Sequence, residues 1–165
     1  MTGFAFRGAA VVMLLALASA GSAAPPEPPT GETLPRPALE AAAVVDAFHA
    51  ALRRGDSEGA LALVADDAIV FEDGRVERTK AEYALHHAGA DAAFSKAVST
   101  KRLSRTGHAG GGLALIASES RTRGRFRGQD VDRIMIETMV LRREPAGAWK
   151  IVHIHWSSRA ATAGH

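Results

Sequence analysis

Imidazole and carboxylate side chains occur at two places in the chain with spacings that could bring them together. His87 and Asp91 are four residues apart, which places them on one face of a helix. His153 and His155 alternate along a predicted strand, so both project from the same strand face. These residue types can bind zinc, copper or iron, but no HExxH-type motif links them. We therefore expect no cofactor. These four residues remain the candidates to test for metal binding. The two strand histidines could instead face a dimer interface.

A second group that could do chemistry is the carboxylates at the end of the first predicted strand. Residues 68–72 (AIVFE) read as a short strand that stops at Asp73-Gly74. Glu72 or Asp73 could serve as a general base, and the sequence alone does not choose between them. Asp73 is equally well explained as a plain turn residue. His87 is the other candidate for a general base.

Three helices are predicted ahead of the main strands. The first spans 38–54 and carries one apolar stripe, made by Ala41, Val45, Phe48 and Leu52. Gly55 ends it, and Asp56 or Ser57 caps a shorter helix that runs to residue 64. Thr79 and Glu82 have capping-box spacing, so a third helix starts there, with a break or kink near Gly89.

Long strands dominate the second half of the chain. They are predicted at 98–106, 113–127, 131–143 and 149–158, separated by glycine-containing turns. Helices first and an antiparallel meander last predict an α+β fold.

The N-terminus reads as a targeting segment and not as part of the fold. Residues 1–20 have a positive start, an apolar run and a small-residue cleavage site, which predicts a secretory signal peptide and a periplasmic or secreted protein. Residues 21–37 hold six of the seven prolines and predict a disordered linker. One domain is predicted at 38–158, with a flexible tail at 159–165.

Composition narrows the classes of partner. The chain contains no cysteine, so disulfides and thiol chemistry are excluded. The formal net charge is +2, which gives no reason to expect a nucleic acid as partner. Past the signal peptide, no apolar run is long enough to insert stably into a membrane.

Two segments of the sequence resemble a known superfamily. The segment 52–74 (LRRGDSEGALALVADDAIVFEDG) is similar to the nuclear transport factor 2-like, or SnoaL-like, superfamily. The hairpin formed by ETMVLRR and AWKIVHIHWSS is similar to the association domain of calcium/calmodulin-dependent kinase II. The resemblance implies a cone-shaped roll, with three N-terminal helices packed on a curved antiparallel sheet. It also implies a pocket between the concave sheet face and the helices, and a homodimer formed through the other face.

The resemblance transfers residue roles only in part. The tyrosine donor of the ketosteroid isomerase branch falls at Phe48, which cannot donate a hydrogen bond. Two pocket arginines of the association domain fall at Met139 and Trp156, which favours a more apolar ligand or simple core packing at both places. Glu137, on a predicted inner strand, is either a pocket acid or the partner of a histidine or arginine. The expected ligand-binding residues are Phe48, Tyr83, His87, Glu137, Met139 and Trp156.

Three functional hypotheses remain open, because this fold hosts many unrelated functions. The first is non-covalent binding of a small, partly apolar molecule in the internal pocket. The second is an isomerase, dehydratase or cyclase with a Glu, Asp or His general base. The third is a non-catalytic association module.

Overall fold

The computed structural model describes residues 34–161. The predicted signal peptide and most of the predicted linker lie outside the described residues. None of the described helices is long and apolar enough to cross a membrane. The elements run in the order α1 Arg36–Arg54, α2 Ser57–Leu61, β1 Val64–Glu72, β2 Arg75–Glu77, α3 Lys80–His86, α4 Ala88–Ala97, β3 Val98–Gly110, β4 Leu113–Phe126, β5 Gln129–Arg143 and β6 Trp149–Ala160.

The first helix follows its predicted apolar stripe. It starts two residues earlier than predicted, because Pro35 caps it with extended backbone and Pro37 suits the first turn. Its buried residues form the predicted face and reach from Ala38 to Leu52. Gly55 ends the helix in the left-handed conformation, at φ 77°, and its N–H bonds back to the last turn.

The third predicted helix is divided into two helices, α3 and α4. The break expected near Gly89 lies at His87. The φ of His87, −128°, departs from helical geometry, so α3 ends before this residue and α4 begins after it. The second helix also stops at Leu61, because Val64 already belongs to β1. Asp56 caps that helix by accepting a hydrogen bond from the Gly59 amide at 2.8 Å.

The six strands form one sheet in the order β2-β1-β6-β5-β4-β3. The predicted antiparallel meander from β3 to β6 is confirmed. The sheet is not antiparallel throughout, since β1 pairs with β6 in parallel. Strand β2 was not predicted: Asp73-Gly74 does not simply end β1 but forms a two-residue hairpin turn, with φ of 47° and 78°. Positive φ at both central residues is the reason Asp-Gly favours this turn.

The helices cover one face of the sheet, called here the inner face. A single apolar cluster joins α1 to this face through Val45, Phe48, Met139, Leu141 and Ile154, all with 0% exposure. The α+β roll predicted from the sequence is thus the observed fold. The opposite, outer face carries no helix among the described residues.

The helix cap predicted at the start of α3 can be tested directly. The Thr79 side chain accepts a hydrogen bond from the Glu82 amide at 3.1 Å, and Glu82 Oε2 accepts one from the Arg78 amide at 2.7 Å. We expect Thr79→Ala to lower the free energy of unfolding by about 1 kcal/mol, because it leaves an amide of the first turn unpaired. Thr79→Ser should keep wild-type stability in urea denaturation. Equal stability of the two variants would contradict this role for the cap.

Candidate functional site

A cavity of about 370 Å3 lies between the inner face and the helices α1 and α4. Side chains from α1, α4, the end of β1, and strands β3 to β6 line it. It holds polar groups of both signs beside apolar ones, including Leu52, Phe94, Met135 and Trp156. A cavity of this size fits a small organic molecule.

Five of the lining residues form one row across the sheet, called here the inner row. Strand pairing places Glu72 beside Trp156, Trp156 beside Glu137, Glu137 beside Ser118, and Ser118 beside Arg105. Residues paired in this way share one face of the sheet. The row therefore carries a carboxyl group at one end, a guanidinium group at the other, and a buried carboxylate near its middle.

The carboxylate of Glu137 is buried but well partnered. Its Oε2 accepts hydrogen bonds from Trp156 Nε1 at 2.8 Å and from His49 Nε2 at 2.6 Å. Burial alone would raise the pKa of Glu137, but the charge and hydrogen bond of His49 and the hydrogen bond of Trp156 outweigh it and lower that pKa. Glu137 thus stays ionised and fixes His49 at the cavity wall.

The carboxyl group of Glu72 behaves in the opposite way. Burial first, and then the negative charges of Asp91, Asp73 and Glu77, raise its pKa to about 7. Its Oε2 is buried and makes no hydrogen bond to any described residue. Glu72 can therefore gain or lose a proton near neutral pH, which is what a general acid–base group requires.

Asp91 lies close to Glu72 and is held by Tyr83. The Tyr83 hydroxyl donates a hydrogen bond to Asp91 Oδ2 at 2.7 Å. Burial raises the pKa of Asp91, and the hydrogen bond from Tyr83 and the charge of His87 oppose this only in part. Tyr83 is itself fully buried, and burial together with Asp91 raises its pKa far above its usual range.

At the other end of the inner row, the Arg105 side chain is 3% exposed. Its Nη1 donates to Asp46 Oδ1 at 2.9 Å and its Nε donates to Ser118 Oγ at 3.1 Å. Arg102 Nη1 shares the same Asp46 oxygen at 3.1 Å. The two arginines lie on one face, although they are three residues apart, because β3 has a bulge between Arg102 and Ser104.

The expected ligand-binding residues divide into two groups. Glu137 and Trp156 line the cavity, and the partner of Glu137 is a histidine, one of the two residue types expected. Phe48, Tyr83 and Met139 are fully buried in the core and do not line it.

The base candidates and metal candidates are also separated by the fold. Asp73 lies in the β1–β2 turn, whereas Glu72 and Asp91 reach the cavity. His87 does not line the cavity; its Nδ1 lies 2.5 Å from Glu77 Oε1, in a mostly buried pair.

The predicted shared strand face of His153 and His155 is confirmed, and it is the outer face. Both rings pack edge-on against Phe71, with centroid distances of 5.1 and 6.3 Å. They are thus on the other side of the sheet from His87 and Asp91. Within residues 34–161, no group of three or more His, Asp or Glu side chains could hold a metal ion.

His49, Arg105 and Ser118 line the cavity but were missed in the sequence. His49 follows Phe48 on α1, and only the rotation of α1 against the sheet decides which of the two faces the cavity. Arg105 and Ser118 could have been found by extending strand pairing outward from Glu137. That extension requires the register set by the Gly111-Gly112 turn between β3 and β4. Only the placement of Arg102 on the same face depends on the β3 bulge, which has no clear signal in the sequence.

The sequence matches the model of the SnoaL-like domain over residues 41–161. The chain belongs to the SnoaL-like family. A solved structure described as a candidate ketosteroid isomerase from Shewanella frigidimarina NCIMB 400 is 36% identical, with a TM-score of 0.69. The match covers 72% of this chain and 94% of that one. No functionally curated protein matches the sequence.

More distant solved structures share the fold. A candidate calcium/calmodulin-dependent protein kinase II association domain from Xanthomonas campestris is 20% identical, with a TM-score of 0.62, covering 73% of this chain and 86% of that one. A candidate dehydratase of the NTF2-like family from Streptomyces avermitilis is 22% identical, with a TM-score of 0.65, covering 76% and 98%. At these identities the likeness establishes the NTF2-like fold predicted from the sequence.

The raised pKa of Glu72 predicts how stability depends on pH. The folded chain keeps a proton on Glu72 up to a pH of about 7, whereas the unfolded chain releases it near the ordinary value of 4.5. The free energy of unfolding therefore falls as pH rises from 4.5 to about 7. Above that range Glu72 is ionised in both states and causes no further change in stability. Because Glu72 is only partly buried and water screens part of this effect, we expect wild type to lose on the order of 1–2 kcal/mol more than Glu72→Gln over this range.

Urea denaturation at a series of pH values measures this difference. Glu58→Gln, a change of the same type at an exposed position of α2, serves as the control and should keep the wild-type pH dependence. Parallel profiles for wild type and Glu72→Gln would contradict the assignment.

Proposed function

We propose that the inner cavity binds a small, partly apolar molecule and that Glu72 acts on it as a general base. One observation carries this proposal: a carboxyl group with a pKa of about 7 lies in the wall of a cavity of about 370 Å3. A base works best when its pKa is near the working pH, since it is then both available and strong enough. The similar Shewanella protein, described as a candidate ketosteroid isomerase, supports the same class of reaction.

The reaction that fits this arrangement is a proton shift next to a carbonyl group. Glu72 takes a proton from the carbon beside the carbonyl, and the released electron pair forms a carbon–carbon double bond while negative charge moves to the oxygen. Glu72 then returns the proton to a different carbon, so the double bond has moved and no oxidant or cofactor is needed.

Dehydration is the second candidate, and the His49–Glu137 pair favours it. The hydrogen bond to Glu137 orients the imidazole of His49, which lines the cavity. A protonated His49 could give its proton to a departing hydroxyl group while Glu72 removes a proton from the neighbouring carbon. This reaction uses two separate groups of the cavity lining, His49 and Glu72, and releases one water molecule.

An isomerase assay tests the first candidate. A β,γ-unsaturated cyclic ketone, such as 3-cyclohexenone, would be followed by ultraviolet absorbance as it becomes the conjugated enone. We expect Glu72→Gln to lower kcat by roughly a hundredfold or more, because the amide cannot accept the proton. Glu58→Gln is the matched control, since it makes the same change at an exposed position of α2 outside the cavity, and it should keep the wild-type rate.

The pH profile gives a second measurement of the same step. The rate should rise with pH up to about 7, as Glu72 becomes ionised, and then level off. A wild-type rate in Glu72→Gln, or an equal loss of rate in Glu58→Gln, would remove Glu72 from the mechanism.

We also propose a homodimer formed through the outer face of the sheet. This face exposes apolar side chains from β1, β2, β4 and β5, at fractions from 39% to 44%: Ile69, Phe71, Val76, Leu115 and Ile136. Strand pairing places Phe71 beside Val76 and, through β6, on the same face as Ile136. A group of exposed apolar residues of this kind marks a contact surface.

Sedimentation analysis tests the dimer. We expect wild type to sediment as a dimer and Phe71→Glu and Ile136→Glu to sediment as monomers, because a charge placed in an apolar interface lacks a partner. Leu85→Glu is the control, as Leu85 is an exposed apolar residue of α3 at 80% exposure. A monomeric wild type would overturn the dimer without affecting the cavity.

Export through residues 1–20 stays a prediction, since those residues lie outside the described part of the chain.

A further inference from the structure

The guanidinium group at the end of the inner row extends the proposed function to a class of substrate. We propose that the cavity selects small organic carboxylates, that Arg105 binds their carboxylate group, and that the rest of the molecule extends along the row toward Glu72. This inference rests on the proposed function, because it assigns the orientation of the molecule on which Glu72 acts.

The first observation is the state of Arg105. Its side chain is 3% exposed and lines the cavity, so its charge is largely removed from bulk water. A guanidinium has five N–H donors. Asp46 and Ser118 each accept one hydrogen bond from it, and the guanidinium also lines the cavity. Donors that face the cavity are available to an incoming acceptor, and a planar carboxylate matches their geometry.

The second observation is the weakness of the existing partner. The Asp46 side chain is 51% exposed, and the Oδ1 atom that contacts Arg105 also contacts Arg102. A half-exposed carboxylate interacts more weakly than an enclosed one, because water screens it. An incoming carboxylate could therefore bind the edge of Arg105 that faces the cavity, or displace Asp46 at a small cost in free energy.

The third observation is that the two ends of the row differ in charge. Arg105 and Glu72 are four strands apart, which is roughly 19 Å along the curved sheet at the usual strand spacing. Between them the cavity presents Trp156 and Met135 from the sheet and Phe94 from α4. An anion is attracted to the arginine end and repelled from the end where Glu72 and Asp91 lie. The apolar middle then accommodates the body of the molecule.

Binding of matched pairs of ligands tests the inference. The probes are hexanoate, benzoate and 2-naphthoate, each compared with its own carboxamide, which has the same shape but no charge. Isothermal titration calorimetry measures Kd for all six on the full chain. We expect the carboxylate of at least one pair to bind about tenfold more tightly than its amide, as a charge-assisted hydrogen bond provides.

Three variants link this preference to the arginine. Arg105→Gln should reduce the preference to about one, and Arg105→Lys should keep part of it because the charge remains. Asp46→Asn should strengthen carboxylate binding several-fold and leave amide binding unchanged, since it removes the competing acceptor. A merely structural role for Asp46 would not produce that gain. Arg121→Gln is the control, because Arg121 pairs with Asp132 on the outer face and should have no effect.

The outcomes separate the two proposals. If amides bind as tightly as carboxylates in every pair, or if the preference persists in Arg105→Gln, the assignment of Arg105 is wrong and the cavity still binds small molecules. If Asp46→Asn weakens carboxylate binding, the assignment is also wrong. If none of the six compounds binds, the proposed ligand-binding function fails together with this inference.

Discussion

The inner site depends on the need to satisfy one buried carboxylate. Glu137 lies on a central strand, where an unpaired charge would be strongly destabilising. Trp156 from the next strand and His49 from α1 supply the two hydrogen bonds that it needs. One residue thereby links β5 to β6 and to the first helix, and it orients an imidazole. The polar lining of the cavity follows from this arrangement.

Three carboxyl groups near the cavity have different properties because their surroundings differ. Glu137 has two donors and stays ionised, whereas Glu72 has neighbouring negative charges and an oxygen without a partner. Asp91 is intermediate, as Tyr83 supplies one donor. Such separation of properties among similar groups is how a protein assigns acid and base roles at neutral pH. The arginine at the far end gives the same cavity one positively charged end.

Much of the fold could be predicted because its signals are local. The capping spacing at Thr79 and the alternation in β6 follow from nearest neighbours, and the need of Glu137 for a histidine or arginine partner follows from the energetics of burial. The site was harder to predict, because its geometry depends on how elements meet. Whether Phe48 or His49 faces the cavity is decided by the rotation of α1. The role of Asp-Gly at Asp73 as a hairpin turn depends on a strand too short to stand out in the sequence.

The bulge in β3 takes up one extra residue, Leu103, opposite the regular strand β4. It allows Arg102 and Arg105, which are three positions apart in the sequence, to share the inner face. Without the bulge the same sequence would alternate regularly, so one of the two arginines would point outward. Deletion of Leu103, by contrast, would leave the arginines two positions apart, and regular alternation would keep both on the inner face. Relatives with a gap at this position would then have no bulge and still retain the paired arginines.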